Sequence, residues 1–281
     1  MCRTVDRRAG SSSGWAGILL IASLPSSSLL CYGGASIFAQ SSPVASNSTK
    51  DEQRSVSVAR LAPLPAGVTL PVRLGRTLRA GKTGVGLTFV VKTTQRVPVT
   101  NRTYLNRGAE LEGKVVASVA GDGTAASPAV LSIEFTTLRY RKQTVAVSTR
   151  AIAIANFVQV GETFLPVQGG ADRGNASEAS WTTTQVGGDQ VARSGWVGDV
   201  VGRGTRTVGR ADYYGVYTLP AGASPERAMG VFSTTATGLY GFESDTSLNS
   251  SGGVITLTRS GGKRLEMRDG DNLLLEVVAP Q

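Results

Sequence analysis

Between Glu110 and Val119 apolar residues recur at every second position: Leu111, Gly113, Val115, Ala117 and Val119, with Glu110, Glu112 and Lys114 between them. Only an extended strand turns this pattern into one dry face and one wet face, because its side chains repeat with a period of two. The same period recurs at Leu70, Val72 and Leu74, at Leu87, Phe89 and Val91, and at Leu131, Ile133 and Phe135, with a further strand expected over 144–148. Gly84, Asn101, Gly108 and Gly121-Asp122-Gly123 punctuate these runs as turns. Val and Thr are frequent inside them, and β-branched side chains fit a pleated surface better than a helix. Short strands at this spacing predict a small β-barrel or sandwich over residues 61–168.

The remainder reads differently. Residues 169–211 contain Gly169-Gly170, Gly187-Gly188 and a glycine-dense run from Gly195 to Gly209, with few apolar side chains to bury. They predict a Gly-rich connection. Residues 212–281 are expected to form a C-terminal β domain that ends in a meander of Val254–Arg259, 263–268 and Asn272–Val278. Ser260-Gly261-Gly262 and Asp269-Gly270-Asp271 separate these runs and are strong hairpin cues. A helical turn or two is expected only near 225–229. The fold class is mainly β: a small barrel or sandwich, a Gly-rich connection and a C-terminal β-meander domain. A chain of 281 residues can bury such a core without covalent staples.

Residues 1–39 read as a signal peptide. Arg3, Arg7 and Arg8 precede an apolar core from Trp15 to Ala22, and small residues lead to Ser36-Ile37-Phe38-Ala39 before Gln40. Pro25 and the serines at 26–28 break the apolar run well short of the ~20 residues that span a bilayer. Cleavage after Ala39 is therefore expected rather than retention as an anchor. Leu30 precedes Cys31 where lipid attachment needs a small residue, which argues against a lipoprotein. Residues 40–60, rich in Ser, Asn and Gln, read as a disordered tether. The expected location is the periplasm, the outer-membrane surface or the extracellular space.

Histidine is absent, and both cysteines, Cys2 and Cys31, fall in the signal segment. Ser-His-Asp and Cys-His catalysis, imidazole acid–base chemistry, His- or Cys-ligated zinc and disulfides are thereby excluded from the processed chain. Lys82-Thr83-Gly84 and the Ser260/Lys263 pair carry the letters of penicillin-binding motifs, but in reverse order and without the helix that sets the lysine one turn after the serine. Gly81-Lys82-Thr83 lacks both the glycine spacing and the following helix of a phosphate loop. Glu110 and Glu112 lie on one strand's outward face, which suits solvated surface better than a glycosidase pair. Asp269-Gly270-Asp271 offers too few oxygen ligands for calcium. No catalytic, cofactor-binding or metal residue is assigned, and the chain is read as a non-enzyme.

Binding is the class that remains. The net charge of +9 favours anionic partners, but the arginines are scattered, so no specific nucleic-acid binding is expected. Tyr213, Tyr214, Tyr217 and Tyr240 are candidates for a ligand-stacking platform, since tyrosine joins a flat apolar face to a hydrogen-bonding tip. Arg203, Arg206 and Arg210 are candidates for an anion-binding arm. The competing readings are core packing for the tyrosines and a solvated linker for the arginines. Envelope proteins, further copies of the chain and anionic polysaccharide are the expected partners, and a carbohydrate-binding module is the alternative to an envelope scaffold.

Three segments carry a resemblance. Leu64-Pro65-Ala66-Gly67-Val68-Thr69-Leu70-Pro71-Val72-Arg73-Leu74 is followed by Leu105-Asn106-Arg107-Gly108-Ala109-Glu110-Leu111-Glu112-Gly113-Lys114-Val115, then by Leu131-Ser132-Ile133-Glu134-Phe135. Together they resemble the barrel of TrbI-type proteins, the scaffold of conjugative and type IV secretion channels, over about residues 61–150. The resemblance implies a barrel with tight Pro-x-Gly corners and a strand bent at Gly113. It also implies a scaffold role in the envelope.

Overall fold

Alternating strands of this kind bury their apolar parity by curling the sheet around it, and the computed structural model shows that outcome. It describes residues 63–100, 102–167, 180–222 and 225–279, all within one compact unit, Ser57–Gln281. The expected signal peptide and tether lie outside the described residues. The first half supplies β1 (Thr69–Leu74), β2 (Leu78–Arg79), β3 (Thr88–Thr93), β4 (Val97–Pro98), β5 (Tyr104–Leu105), β6 (Glu110–Val119), β7 (Ala129–Tyr140), β8 (Gln143–Ala146), β9 (Ser148–Ala155) and the helix α1 (Phe157–Glu162). The second half supplies β10 (Ser180–Thr184), β11 (Gln190–Ser194), β12 (Val197–Val201), β13 (Thr207–Asp212) and β14 (Gly215–Thr218). After these come β15 (Gly238–Tyr240), β16 (Thr246–Ser251), β17 (Val254–Arg259), β18 (Glu266–Met267) and β19 (Asn272–Val278).

The main sheet runs β15-β9-β19-β1-β3-β6-β7-β17-β16, with β8 paired to β7. Its pairings are antiparallel except β15 with β9. It is nearly closed into a barrel. The two ends of the sheet approach each other, and the Ala151 N–H in β9 donates to Ser250 Oγ in β16 at 3.1 Å across the seam. A separate antiparallel meander, β10 to β14 in chain order, makes the second sheet.

Side chains fill the barrel interior, with Leu111, Leu131, Ile133, Leu257 and Leu275 fully buried. Phe89, Gly113 and Phe135 stand in register on β3, β6 and β7. The two rings meet edge to face at 5.7 Å over the glycine. A Cβ on Gly113 would come within 2.6 Å of the Phe89 ring, so this glycine is required by space. The β6–β7 register also shifts between Glu112 and Gly113, a bulge that bends the strand as the barrel closes.

A second core lies outside the barrel wall. Ile154 points inward, while Ala153 and Ala155 of β9 and Leu274 of β19 face Val191, Val200, Ala211 and Val216 of the meander. Two alanines on the outer face of β9 let the second sheet approach closely. Buried on both faces, β19 reads as the unbroken run Leu273-Leu274-Leu275 rather than an alternating one.

Three expectations are corrected here. From Ser180 onward the segment expected as a Gly-rich connection is four strands of the meander, β10 to β13. Its glycines serve close approach: a Cβ on Gly198 would lie 2.0 Å from the Ala192 carbonyl oxygen, and one on Gly209 2.3 Å from that of Tyr217. The last strands do not pair with one another, and do not form a domain apart. β17 joins β7 and β16, β18 joins β2, and β19 joins β1 and β9, so the meander of this fold is the 180–218 sheet. Finally, 225–229 is non-helical, with Ala228 bridged to Tyr217. The helix forms at Phe157–Glu162, where the Asn156 side chain caps it by accepting from the Gln159 N–H at 3.0 Å.

Candidate functional site

Two tight turns at one end of the meander push large rings into solvent. Gly195-Trp196 joins β11 to β12, closing on the Ser194–Val197 pair, and Tyr213-Tyr214 joins β13 to β14, closing on Asp212–Gly215. A two-residue turn has no interior, so its side chains cannot bury. Asp212 fixes the second turn: its Oδ1 accepts from the N–H groups of Tyr214 at 2.7 Å and Gly215 at 3.1 Å. Trp196 is 69% exposed, Tyr213 73% and Tyr214 53%.

These rings form a continuous ridge. Trp196 meets Tyr213 edge to face at 5.9 Å, and Tyr213 meets Tyr214 at 5.5 Å. The Arg96 guanidinium follows, between the Tyr214 ring at 4.8 Å and the Tyr104 ring of β5 at 3.8 Å. Arg96 Nε is buried with no hydrogen-bond partner, so the ring faces are its main compensation. The Arg96 backbone is tied to the meander, donating to the Tyr214 carbonyl at 3.2 Å and accepting from the Tyr217 hydroxyl at 3.0 Å. Beside it the buried Gln95 clamps the two sheets. Its Oε1 accepts from the N–H groups of Val216 and Gly230, each at 3.0 Å, and its Nε2 donates to the Val216 carbonyl at 2.9 Å.

An open depression of about 600 Å³ adjoins the ridge on the meander, lined by Arg193, Ser194, Val197, Asp199, Arg210 and Asp212. Burial lowers the pKa of the Arg193 guanidinium, and the nearby Asp212 charge opposes that shift. The site therefore sets edge-to-face rings beside a charged, hydroxyl-bearing face. It can hold and orient a ligand.

Of the residues expected in a site, Tyr213 and Tyr214 are brought together. Tyr217 is not available: it is buried against the barrel core, and burial raises its hydroxyl pKa. Tyr240 is half-buried in β15, packed on the second core, and its hydroxyl accepts from the Thr237 N–H at 3.2 Å. Arg203 and Arg206 are exposed in the β12–β13 turn, at the opposite end of the sheet from the ridge, roughly 15 Å away along a five-residue strand. Arg210 is not free for an anion. Glu226 takes it through two hydrogen bonds, at 2.7 and 2.5 Å, and Asp212 through a third, which holds its pKa above the ordinary value. The three arginines do not form an arm.

Trp196, Arg96 and Tyr104 escaped the sequence reading. A lone Trp after Gly195 in a polar stretch is a signal in hindsight, but Arg96 and Tyr104 reach the ridge only through tertiary packing. The outward carboxylates are engaged in ion pairs, Glu110 with Lys92 at 3.0 Å and Glu112 with Arg139 at 2.6 Å. Asp271 serves its own turn and the start of α1, accepting from the N–H groups of Arg268 at 2.7 Å and Phe157 at 2.9 Å. Burial pushes its pKa up to about 6. Among the described residues no three of His, Cys, Asp and Glu gather as metal ligands, and no helix is long and apolar enough to cross a membrane. No family model, curated protein or solved structure matches this chain, so the ridge is interpreted from its own chemistry.

Proposed function

We propose that this chain is a non-enzymatic, exported cell-envelope binding protein, with the filled barrel as support and the aromatic ridge as contact surface for an envelope polysaccharide. The observation that carries this reading is the run Trp196, Tyr213 and Tyr214, each more than half exposed and in ring contact on two short turns. Rings held on short turns stack against sugar with little loss of conformational freedom. The net positive charge, which survives removal of residues 1–39, and the Arg96 guanidinium in the ridge favour an acidic chain over a neutral one. A packed lumen leaves the ligand-binding role to the outer surface.

Affinity electrophoresis of the full chain through gels containing polygalacturonate or a neutral β-glucan tests the proposal. Retardation by polygalacturonate that disappears in a Trp196→Ala, Tyr213→Ala double variant is expected. Equal mobility with and without both polysaccharides, or retardation that survives the double variant, overturns it.

An envelope scaffold, as the TrbI-type resemblance implies, is the second reading. It is favoured by another exposed apolar patch around α1, where Phe164 and Leu165 are 69% and 63% exposed beside Phe157 and Val158. Self-association in sedimentation velocity that is lost in Phe164→Ser, Leu165→Ser would support it, and a monomer at all concentrations would remove self-assembly from it.

A further inference from the structure

We infer that a second pocket, apart from the ridge, binds a compact hydroxylated monocarboxylate through Arg227. The pocket is a cavity of about 380 Å³ between the outer wall of β9 and β19 and the segment leading into β15. That volume lies within the range of small-ligand sites.

The charge balance in this pocket points to its occupant. Arg150 and Glu276 pair at 2.6 Å across β9 and β19 and neutralise each other. Arg227 has no such partner: among the described residues it makes no salt bridge, and its Nε is buried without a hydrogen bond. Its backbone explains how it is held there. Arg227 N–H donates to Thr218 Oγ1 at 3.0 Å, and the Thr218 N–H donates to the Arg227 carbonyl at 3.0 Å. Pairing along β14 thus carries a partly exposed guanidinium to the cavity wall with its buried Nε–H left unpaired, a donor that a ligand would complete. One uncompensated positive charge matches one negative charge, and the planar guanidinium fork matches the two oxygens of a carboxylate.

The walls describe the rest of the ligand. Ala151 and Ile152 of β9 supply partly exposed apolar surface over the buried Met229 and Leu274, and Thr237 stands exposed at the rim. One apolar side and one hydroxyl side suit the ring of a sugar acid. The β9–β19 register independently marks this place. It shifts between Leu274 and Leu275, leaving Ile152 unpaired where it lines the pocket, and bulges of this kind re-aim strands beside binding sites.

NMR titration of the full chain with sodium glucuronate, methyl glucoside and sodium sulfate tests the assignment. Glucuronate is expected to shift the amides of Ile152, Arg227 and Thr237 saturably, methyl glucoside to leave them in place, and sulfate to bind more weakly than glucuronate. Arg227→Met should weaken glucuronate binding about tenfold or more. The Trp196→Ala, Tyr213→Ala variant should bind glucuronate as wild type does, which separates this pocket from the ridge. Should Arg227→Met fail to fold, Thr237→Val must weaken binding instead, and added salt must weaken it in the wild type. An absence of saturable shifts, sulfate binding as tightly as glucuronate, or wild-type affinity in the folded Arg227→Met variant overturns the inference.

Discussion

The barrel and the meander are both antiparallel β, yet they spend their residues in opposite ways. In the barrel, large side chains converge on one interior, and Gly113 makes room for two aromatic rings. In the meander, buried valines and alanines cover the face against the barrel wall, glycines bring backbones close, and the largest rings are pushed out at the turns. The barrel converts apolar area into stability. The meander converts attachment to the barrel into display.

That contrast can be broken most severely in the barrel. Phe135→Ala empties the ring contact over Gly113 and should cost about 3–5 kcal/mol in denaturant unfolding, taking the meander with it. A cost below 1 kcal/mol would mean that the interior is not close-packed. Next comes the clamp between the sheets. Gln95→Leu strands the N–H groups of Val216 and Gly230 and should cost about 2–3 kcal/mol. Its amide exchange should accelerate in β13 and β14 ahead of β6 and β7, whereas uniform acceleration would deny the two regions separate behaviour.

A pH effect of about 2 kcal/mol should act on the barrel side alone. Asp271, in the turn before β19, has its folded pKa raised to about 6 by burial, so the folded chain holds this proton more tightly than the unfolded one. Its stabilising contribution is full below the ordinary carboxylate range and is lost as pH rises through about 6. The stability of wild type relative to Asp271→Asn should therefore grow as pH falls from neutral toward 4. A gap that is constant or shrinks with acidification contradicts this sign. The smallest effect belongs to the ridge: Trp196→Ala should change stability by less than about 0.5 kcal/mol while weakening polygalacturonate binding. A large stability loss there would make the ridge part of the fold rather than a display surface.

The same contrast decides what the sequence made legible. Strands β3, β6 and β17 announce themselves because each buries one face, and alternation encodes one-sided burial directly. The partners of β17 and β19 were not legible. Barrel closure joins segments more than a hundred residues apart, as in Ser132 with Thr256, while the intervening Gly-Gly and Asp-Gly turns suggest local hairpins. The meander strands were hidden for another reason. Gly198 and Gly209 look like flexibility in a list of residues and like close backbone packing in a sheet. Half of the ridge was visible as Tyr213-Tyr214, and the rest depended on Arg96 meeting Tyr214 across the two sheets. Tyr217 is their neighbour in the chain and pairs with Arg210 on the opposite parity from Val216, yet packing on the barrel core and the Arg96 carbonyl bury it.

Hydrogen–deuterium exchange of the full chain with and without saturating polygalacturonate tests the division of labour most directly. New protection confined to 194–197, 212–215 and the Arg96–Tyr104 flank, with β6 and β7 unchanged, is the predicted footprint. Protection centred on the barrel strands, or no protection at the two turns, contradicts it.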